Sequence, residues 1–338
     1  AYEQSARLVS EGAGAAGGVG ILPSRIPAPY RIEQLEQDLI ETGSTFRYAH
    51  ELDRASVSVS IGRGELKAGR QAIGWGRGLL FSAVDIFAPF TPLESDREWR
   101  RGVDAVRARV PLTDLISLDA VAAFGESEDG SAFVGRLHGY LGDVDGEIFA
   151  GRRREDGFVA SSASMSLLDA EVHGEAALFL LPGDLATGAS FNSGDLAAKA
   201  LLGASRSFDV GAGVLAMVEY HYSGFGVSDM DDLTEALADP ELASRYALGD
   251  RQILGKHAAA TRVSYGFAGN TPLSITWIVS PTDGSGVLIP SATWVFSDSV
   301  TLSGSAYLPH GDPPESGVLR SEYGGTPAGA LLQIGLYF

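Results

Sequence analysis

The chain contains no cysteine among its 338 residues. This absence excludes disulfide bonds, thiolate metal ligands, haem attachment through CxxCH and cysteine nucleophiles. Long apolar runs are missing as well. Although 45% of the residues are hydrophobic, no stretch approaches the ~20 consecutive apolar residues that a transmembrane helix requires. The longest runs, such as Ala176 to Leu181, have the length of a strand. A helical membrane protein is therefore excluded.

Positive charge is also scarce. The chain has 25 Lys and Arg residues against 43 Asp and Glu residues, which gives a formal net charge of −18. General nucleic-acid binding depends on a basic surface that neutralises phosphates, so nucleic acid is not an expected partner. No signal peptide is present in the sequence. If the protein is exported, we expect Ala1 to lie at or near a processed N-terminus.

Segments of about ten residues with alternating apolar and polar side chains recur along the whole chain, separated by clusters of Gly, Asp, Asn, Ser and Pro. In the last segment, LLQIGLYF, the residues Leu332, Ile334, Leu336 and Phe338 share one face. A period of two residues is the signature of a strand with one apolar face. Counting such segments predicts about sixteen strands, including a weaker one at Tyr2–Val9.

The connections between these segments alternate between short turns and long loops. Alternation of this kind is typical of transmembrane β-barrels, which have short periplasmic turns and long extracellular loops. The sequence therefore predicts an all-β fold, a transmembrane antiparallel up-and-down β-barrel of about sixteen strands that spans residues 1–338 as a single domain. A soluble β-sandwich of this size would need two sandwiches and a linker, and the sequence contains no linker. The predicted long loops cover residues 10–45, 76–101, 182–195, 224–254 and 309–326.

Two stretches inside these loops have helical rather than strand periodicity. Arg31–Glu41 can align Ile32, Leu35, Leu39 and Ile40 on one stripe, and Asp229–Tyr246 has the spacing of short helices around a proline. We expect both stretches to form helices that pack on the rim of the barrel.

Charged side chains in the middle of a strand cannot cheaply face hydrocarbon, so they indicate which face of each strand lines a wet lumen. We expect the basic members of this set to form one wall and the acidic members the opposite wall. Side chains at i and i+2 of a strand lie ~7 Å apart, so Glu171, His173 and Glu175 are not expected to converge on a metal ion, and no cofactor is expected. The predicted pore-lining residues are Lys67, Arg107, Arg109, Arg136, His138, Glu171, His173, Glu175, Glu219 and His221.

One part of the chain resembles a known family. The motifs GRQ and WG in Gly69–Gly78, followed by DIF-PF and DRE-R-GVDA-R in Asp85–Val110, resemble a porin-like family of Gram-negative outer-membrane barrels. The terminal Phe338 after alternating apolar residues is similar to the C-terminal strand of bacterial outer-membrane proteins. The resemblance implies a place in the bacterial outer membrane, in contact with lipid and lipopolysaccharide.

The resemblance also implies that the long loop between these motifs folds inward and narrows the pore. Its charged residues would then crowd the entrance. A loop that folds over the rim and is internally salt-bridged is the alternative, and the sequence leaves both open. The predicted constriction residues are Asp96, Arg97, Glu98, Arg100 and Arg101.

A barrel of about sixteen strands leaves an aqueous channel, whereas one of eight strands is filled by side chains. The leading prediction is therefore a porin-like channel for passive or weakly selective diffusion of small polar solutes. The alternative is a structural conduit that houses or docks a partner lipoprotein or electron carrier, and a homo-oligomer is compatible with either. The sequence contains no GxSxG nucleophile motif, so we do not expect an enzyme.

Overall fold

The fold consists almost entirely of β-strands. The computed structural model describes residues 2–8, 29–33, 35–42, 46–93, 100–183, 196–240, 244–245, 248–250, 252–267, 271–316 and 318–336. These residues contain eighteen strands, a short 3-10 helix at Met230–Asp232 and an α-helix, α1, at Leu233–Ala238; Pro240, Ser244 and Arg245 are helical as well. In this part of the chain no helix has the length and apolar character needed to cross a membrane.

Fifteen strands form a single antiparallel sheet in which every strand pairs with its neighbours in sequence. This is the up-and-down order that the sequence predicts. The strands are β4 Ala55–Ile61, β5 Gly64–Ala72, β6 Gly102–Pro111, β7 Ile116–Ala123, β8 Ala132–Leu141, β9 Val144–Arg153, β10 Asp156–Leu167, β11 Ala170–Leu180, β12 Leu196–Phe208, β13 Val214–Ser223, β14 His257–Phe267, β15 Thr271–Val279, β16 Gly286–Ser297, β17 Val300–His310 and β18 Gly329–Leu336.

The first three strands form a separate antiparallel sheet in the order β1-β3-β2. Their bounds are β1 Tyr2–Leu8, β2 Glu36–Thr42 and β3 Phe46–Leu52. The weak strand predicted at Tyr2–Val9 is thus confirmed. The helix predicted over Arg31–Glu41 is wrong, because residues from Glu36 onward pair with β3. The strand β2 also lies within the loop predicted for residues 10–45. Tertiary pairing overrides helical periodicity here, since local propensity is a weak constraint.

The second predicted helical stretch, Asp229–Tyr246, contains the 3-10 helix and α1. Asp229 begins this helical region, and its side chain accepts a hydrogen bond from the backbone N–H of Asp231. A carboxylate at this position satisfies a helix N–H that has no backbone acceptor. The region belongs to the long connection between β13 and β14, as the sequence predicts.

Short turns lie at one end of the fifteen-stranded sheet, and the long connections lie at the other end, together with the two-residue turn 154–155. At one end the turns have few residues, as at 62–63, 142–143, 168–169 and 298–299. At the other end β5 and β6 are separated by residues 73–101, and β13 and β14 by residues 224–256. Gly142 has a φ of 61°, which a two-residue hairpin turn requires and which glycine adopts without strain. By the rule for outer-membrane barrels, the short turns mark the periplasmic end.

The two faces of the sheet differ in character. The strand register aligns Leu302 with Ile334 and, elsewhere, Trp277 with Leu288, and these side chains belong to an exposed apolar face. Leu332 is 71% exposed and Ile334 is 64% exposed. Such a continuous apolar outer surface is unfavourable in water and is the surface that a transmembrane barrel presents to lipid.

The sheet curves around residues that it encloses. Arg77, which follows β5, makes an ion pair of 2.7 Å with Asp145 of β9. Leu93, only sixteen positions later, accepts a hydrogen bond of 3.1 Å through its carbonyl oxygen from the hydroxyl of Tyr307 in β17. In a flat sheet β9 and β17 would be separated by eight strand spacings, about 38 Å at about 4.8 Å each. One loop thus contacts two strands that are far apart in the sheet, as a sheet rolled into a barrel allows.

The face assignment gives a first prediction. Leu332→Arg places a charge on the lipid-facing side of β18, and we expect it to lower the free energy of unfolding by about 2–4 kcal/mol if the position is near the bilayer midplane. Gln333→Arg is the matched control, because the neighbouring side chain faces the lumen, where water solvates a guanidinium. The measurement is denaturant unfolding of the protein in lipid vesicles. Equal losses at both positions would contradict the assignment.

Candidate functional site

Residues 73–93 leave the long-loop end of β5 and enter the barrel; we call them the infolded segment. Their sequence, IGWGRGLLFSAVDIFAPFTPL, carries many apolar and aromatic side chains, which are driven out of water. Trp75 packs edge-on against Phe87, with ring centroids 4.7 Å apart, and its ring also lies 5.3 Å from Phe149 of β9. The buried apolar residues of the segment are Ile73, Trp75, Leu80, Phe81, Ala83, Val84, Ile86, Phe87 and Ala88.

Glu175 of β11 anchors the infolded segment through its backbone. One carboxylate oxygen accepts hydrogen bonds from the N–H groups of Arg77 and Gly78, the latter at 2.8 Å. The other oxygen accepts from the N–H groups of Ala83, at 2.7 Å, and Val84, at 3.2 Å. It also accepts a bond of 3.1 Å from the hydroxyl of residue 82. The carboxylate is buried and bridges two turns of the segment.

Glu219 of β13 anchors the residues between these turns. Its carboxylate accepts hydrogen bonds from three successive backbone N–H groups, those of Leu79, of Leu80 at 2.8 Å and of Phe81 at 3.2 Å. His173 of β11 fixes the orientation of the carboxylate, with 3.1 Å between Nε2 and Oε1. Successive N–H groups that converge in this way form a concave anion-binding surface. Glu219 has no exposed surface.

The backbone can approach Glu175 closely because residue 76 is glycine. Gly76 has a φ of 102°, and a Cβ atom at this position would lie 2.6 Å from Oε1 of Glu175. Any other residue would have to move the carboxylate away from the amides that it binds and would adopt a strained backbone conformation. The WG dipeptide noted in the sequence therefore has a structural role in this turn.

A row of paired charges crosses β6 to β10 on the lumen face. Arg107 donates to the Asp119 carboxylate, with 2.9 Å from Nε to Oδ1. Arg136 donates to Asp119 at 3.0 Å and to Glu147 at 2.9 Å. The other carboxylate oxygen of Glu147 accepts a bond of 2.7 Å from Ser162. The predicted basic wall is therefore a mixed row, in which acidic residues of the intervening strands neutralise most of the positive charge.

The infolded segment also contacts this side of the lumen. Arg77 donates a hydrogen bond of 2.9 Å to the hydroxyl of Ser164 in addition to its ion pair with Asp145. Asp145 in turn lies 2.8 Å from Nε2 of His138. Thus His138, which the sequence places in the lumen, is linked to the infolded segment through one shared carboxylate.

The remaining predicted pore-lining residues occupy different environments. The register sets Lys67 directly opposite Arg107, and Lys67 is half-buried. Arg109 is half-exposed and lies 3.9 Å from Asp119. Glu171 is exposed near the short turn at the start of β11. His221 is fully buried and stacks on Phe81, with ring centroids 5.3 Å apart. The structure therefore gathers His173, Glu175, Glu219 and His221 around the infolded segment and leaves Glu171 apart from them.

Of the five predicted constriction residues, Asp96, Arg97 and Glu98 lie outside the described residues. Arg100 makes an ion pair with Asp85 and donates a hydrogen bond of 2.7 Å to the carbonyl oxygen of Ala88. Its guanidinium also lies over the ring of Phe90, 4.6 Å from the centroid. These contacts tie the end of the loop to its own infolded segment. Arg101 is half-buried.

A buried ion network that the sequence analysis missed lies at the long-loop end. Arg153, at the end of β9, makes an ion pair with Asp250, and its Nε donates a hydrogen bond of 3.1 Å to the hydroxyl of Tyr30. Arg245 binds Asp156 through two guanidinium nitrogens, one at 2.8 Å, and lies 3.5 Å from Asp250. Residues far apart in sequence join here, so no local pattern could have revealed the network.

The electrostatics of the loop groups follow from this network. Burial opposes ionisation of Asp250, but the guanidinium groups of Arg153 and Arg245 more than offset it and hold the pKa of Asp250 below its ordinary value. Burial raises the pKa of the Tyr30 phenol. Asp250 is therefore charged and Tyr30 neutral at physiological pH.

Within the described residues, no group of three or more His, Asp or Glu side chains is arranged to hold a metal ion. The carboxylates that point into the lumen are instead occupied by backbone amides, guanidinium groups and hydroxyls. The arrangement can narrow and shape an aqueous passage, and its polar groups can exchange hydrogen bonds with a passing solute.

Comparison with known proteins gives a likeness of fold. No family model matches the chain, and no curated protein sequence matches it. Among solved structures, Wzi, a carbohydrate-binding β-barrel of the outer membrane involved in group 1 capsule assembly in Escherichia coli, is similar, with a TM-score of 0.53. The two are 14% identical over 88% of this chain and 72% of Wzi.

Two proteins of Pseudomonas aeruginosa have a similar fold. OprD matches with a TM-score of 0.51 and 12% identity, over 86% of this chain and 83% of OprD. OccD3 (OpdP) matches with a TM-score of 0.50 and 10% identity, over 85% of this chain and 77% of OccD3. At these identities the likeness establishes the fold, which is that of Gram-negative outer-membrane β-barrels.

The anchoring geometry gives a second prediction. Glu175→Gln and Glu219→Gln each replace one acceptor oxygen with an amide donor and leave buried backbone N–H groups without a partner. Each unpaired group costs about 1–3 kcal/mol, so we expect the infolded segment to become sensitive to protease and the barrel to unfold at lower denaturant. Glu171→Gln, on the same strand and face but exposed, is the control. If all three variants resisted protease like the parent protein, the carboxylates would not be the anchors.

The ion network gives a third prediction, on pH. Because the folded pKa of Asp250 is lowered, its stabilising contribution is fully present above the ordinary Asp value of 3.8 and is lost as the pH falls through the lower folded value. We therefore expect the β13–β14 loop to resist limited proteolysis at about pH 5 and pH 7 alike and to open only below the range where free Asp titrates.

Two variants test the assignment to this carboxylate. Asp250→Asn should open the same loop at neutral pH, because Arg153 and Arg245 lose their shared charge. Asp143→Asn, in an exposed turn at the opposite end of the barrel, should leave the parent pH profile unchanged. An Asp250→Asn protein with the parent's pH profile would contradict the assignment.

Proposed function

We propose that this chain is a porin-like outer-membrane channel through which small polar solutes diffuse passively or with weak selectivity. The observation that carries the proposal is the infolded segment, which Glu175 and Glu219 hold inside the barrel by its backbone amides. A segment held in this way narrows the lumen without sealing it. On the wall formed by β14 to β18 lies a cavity of about 160 Å³ with polar groups in its lining.

The location follows from the outer surface. The exposed apolar face of the fifteen-stranded sheet requires an apolar environment, and the solved barrels with this fold are outer-membrane proteins. We therefore propose lipid and lipopolysaccharide as the molecules that surround the chain. A homo-oligomer or a partner lipoprotein remains a prediction.

The paired charges of the lumen favour weak rather than strong discrimination. In the row from Arg107 to Glu147, each guanidinium lies next to a carboxylate, so the fields largely cancel beyond a few ångströms. Charges on the extracellular loops are screened within ~8–10 Å at physiological salt. A small neutral solute therefore meets a polar wall with many hydrogen-bonding groups and little net field.

The alternative of a conduit that houses a partner protein has less support. The lumen at the level of Glu175 and Glu219 is occupied by the chain's own infolded segment, whose apolar residues are already buried. A partner threaded through the barrel would have to displace this segment and leave its two anchoring carboxylates without their donors. The occupied lumen favours small solutes.

Conductance in planar lipid bilayers tests the proposed function and is the fourth prediction. We expect the purified protein to give discrete current steps, and the double variant Glu175→Gln/Glu219→Gln to give larger and noisier steps because the infolded segment is released. Glu171→Gln should conduct like the parent. A protein that inserts into the bilayer but carries no current would contradict the channel proposal and favour a sheath.

A further inference from the structure

The cavity on the wall of β14 to β18 combines hydroxyl groups with one guanidinium group in its lining. It lies on the lumen face of β14 to β18; six of the thirteen residues that line it carry a hydroxyl group, and none carries a carboxylate. The strand register places four serines in one row across β14, β15, β16 and β17. The four serines are Ser264, Ser274, Ser291 and Ser305. Arg262 of β14 also lines the cavity.

Arg262 is the cationic member of this lining. Its Nη2 donates a hydrogen bond of 3.4 Å to Ser274, and its Nε is buried without a partner. Among the described residues, no carboxylate lies within ion-pair distance of this guanidinium. By contrast, Arg107 and Arg136, on the opposite side of the lumen, both form ion pairs with Asp119.

The nearest lumen carboxylate on the neighbouring strand cannot serve Arg262. In the register between β13 and β14, Arg262 is opposite Met217, and Glu219 is opposite Ala260, one diagonal step away. The two carboxylate oxygens of Glu219 already accept bonds from the amides of the infolded segment and face His173. The same contacts that hold the infolded segment thus leave the positive charge of Arg262 uncompensated.

The hydroxyl groups complement such a charge. Ser274 and Ser291 lie 2.7 Å apart through their hydroxyl oxygens, so one donates to the other. A serine hydroxyl donates one hydrogen bond and accepts others. A guanidinium group only donates hydrogen bonds, so the serines and Arg262 can together bind the oxygens of an anion. The cavity lining contains no carboxylate that would bind a cation.

We infer that this cavity is a subsite for small oxyanions, such as carboxylates or phosphate, and that Arg262 is the residue that determines its specificity. The inference rests on the proposed channel function and adds a solute class to it. Guanidinium groups bind carboxylate and phosphate oxygens in a fork, and such charge-assisted bonds are stronger than those between neutral groups. A solute that also carries hydroxyl groups can form further hydrogen bonds with the serines of the row.

The test compares three solutes in proteoliposomes: gluconate, inorganic phosphate and sorbitol. Gluconate and sorbitol share a six-carbon hydroxylated chain and differ in one carboxylate. We expect Arg262→Gln to reduce the permeability ratio of gluconate to sorbitol about fivefold, which corresponds to the roughly 1 kcal/mol between unit charges about 4 Å apart in water. The permeability ratio of phosphate to sorbitol should fall in parallel, and Arg262→Lys should restore part of both ratios.

Arg206→Gln is the matched control, because it removes the same charge from the exposed outer side of β12, where Arg206 lies over Phe208. It should leave the ratios unchanged. If sorbitol crosses but Arg262→Gln leaves the permeability ratio of gluconate to sorbitol at the parent value, the oxyanion subsite is refuted. The channel proposal is not contradicted by that result. If only phosphate or only gluconate responds, the subsite binds that anion alone. If no solute crosses and no current flows, the proposed function itself fails.

Discussion

A segment without secondary structure can stay inside a barrel only if its buried backbone amides find acceptors there. Between Arg77 and Val84 every backbone N–H donates to a side chain: to Glu175, to Glu219 or, for Ser82, to Gln252 at 3.0 Å. Two carboxylates on the lumen wall thus replace the hydrogen-bond ladder that a strand would have supplied. Because an ionised carboxylate has two oxygens and several lone pairs, each can hold an entire turn of the chain.

This anchoring divides the lumen into two unlike halves. On the side of β6 to β13, the infolded segment fills the space, and the charges of the wall pair with one another or with Arg77. On the side of β14 to β17, the wall carries a row of serines and a cavity toward the short-turn end of the strands. The charge that a solute meets therefore depends on which groups the infolded segment has engaged: its amides engage Glu219, whereas Arg262 has no carboxylate partner among the described residues.

The outer surface obeys a simpler constraint. Side chains on a strand alternate, so each residue of a barrel strand faces either lipid or lumen, and apolar side chains such as Leu332 and Ile334 lie on the lipid side. Inside, polar groups can be placed in almost any combination, provided that buried charges are paired. This freedom allows one wall to be a paired row of Arg, Asp and Glu and another to be a row of serines.

The sequence by itself determined the β-barrel class, the alternation of short and long connections and the face on which Glu175, Glu219 and Arg107 lie, because a period of two residues is a local property. The helix predicted over Arg31–Glu41 was wrong because local periodicity competes with strand pairing. Only the tertiary structure decided which groups meet. Glu219 and Leu80, which meet inside the barrel, are 139 positions apart in sequence. Contacts across a barrel depend on strand register and on the path of a loop, and neither is encoded in any short stretch of sequence.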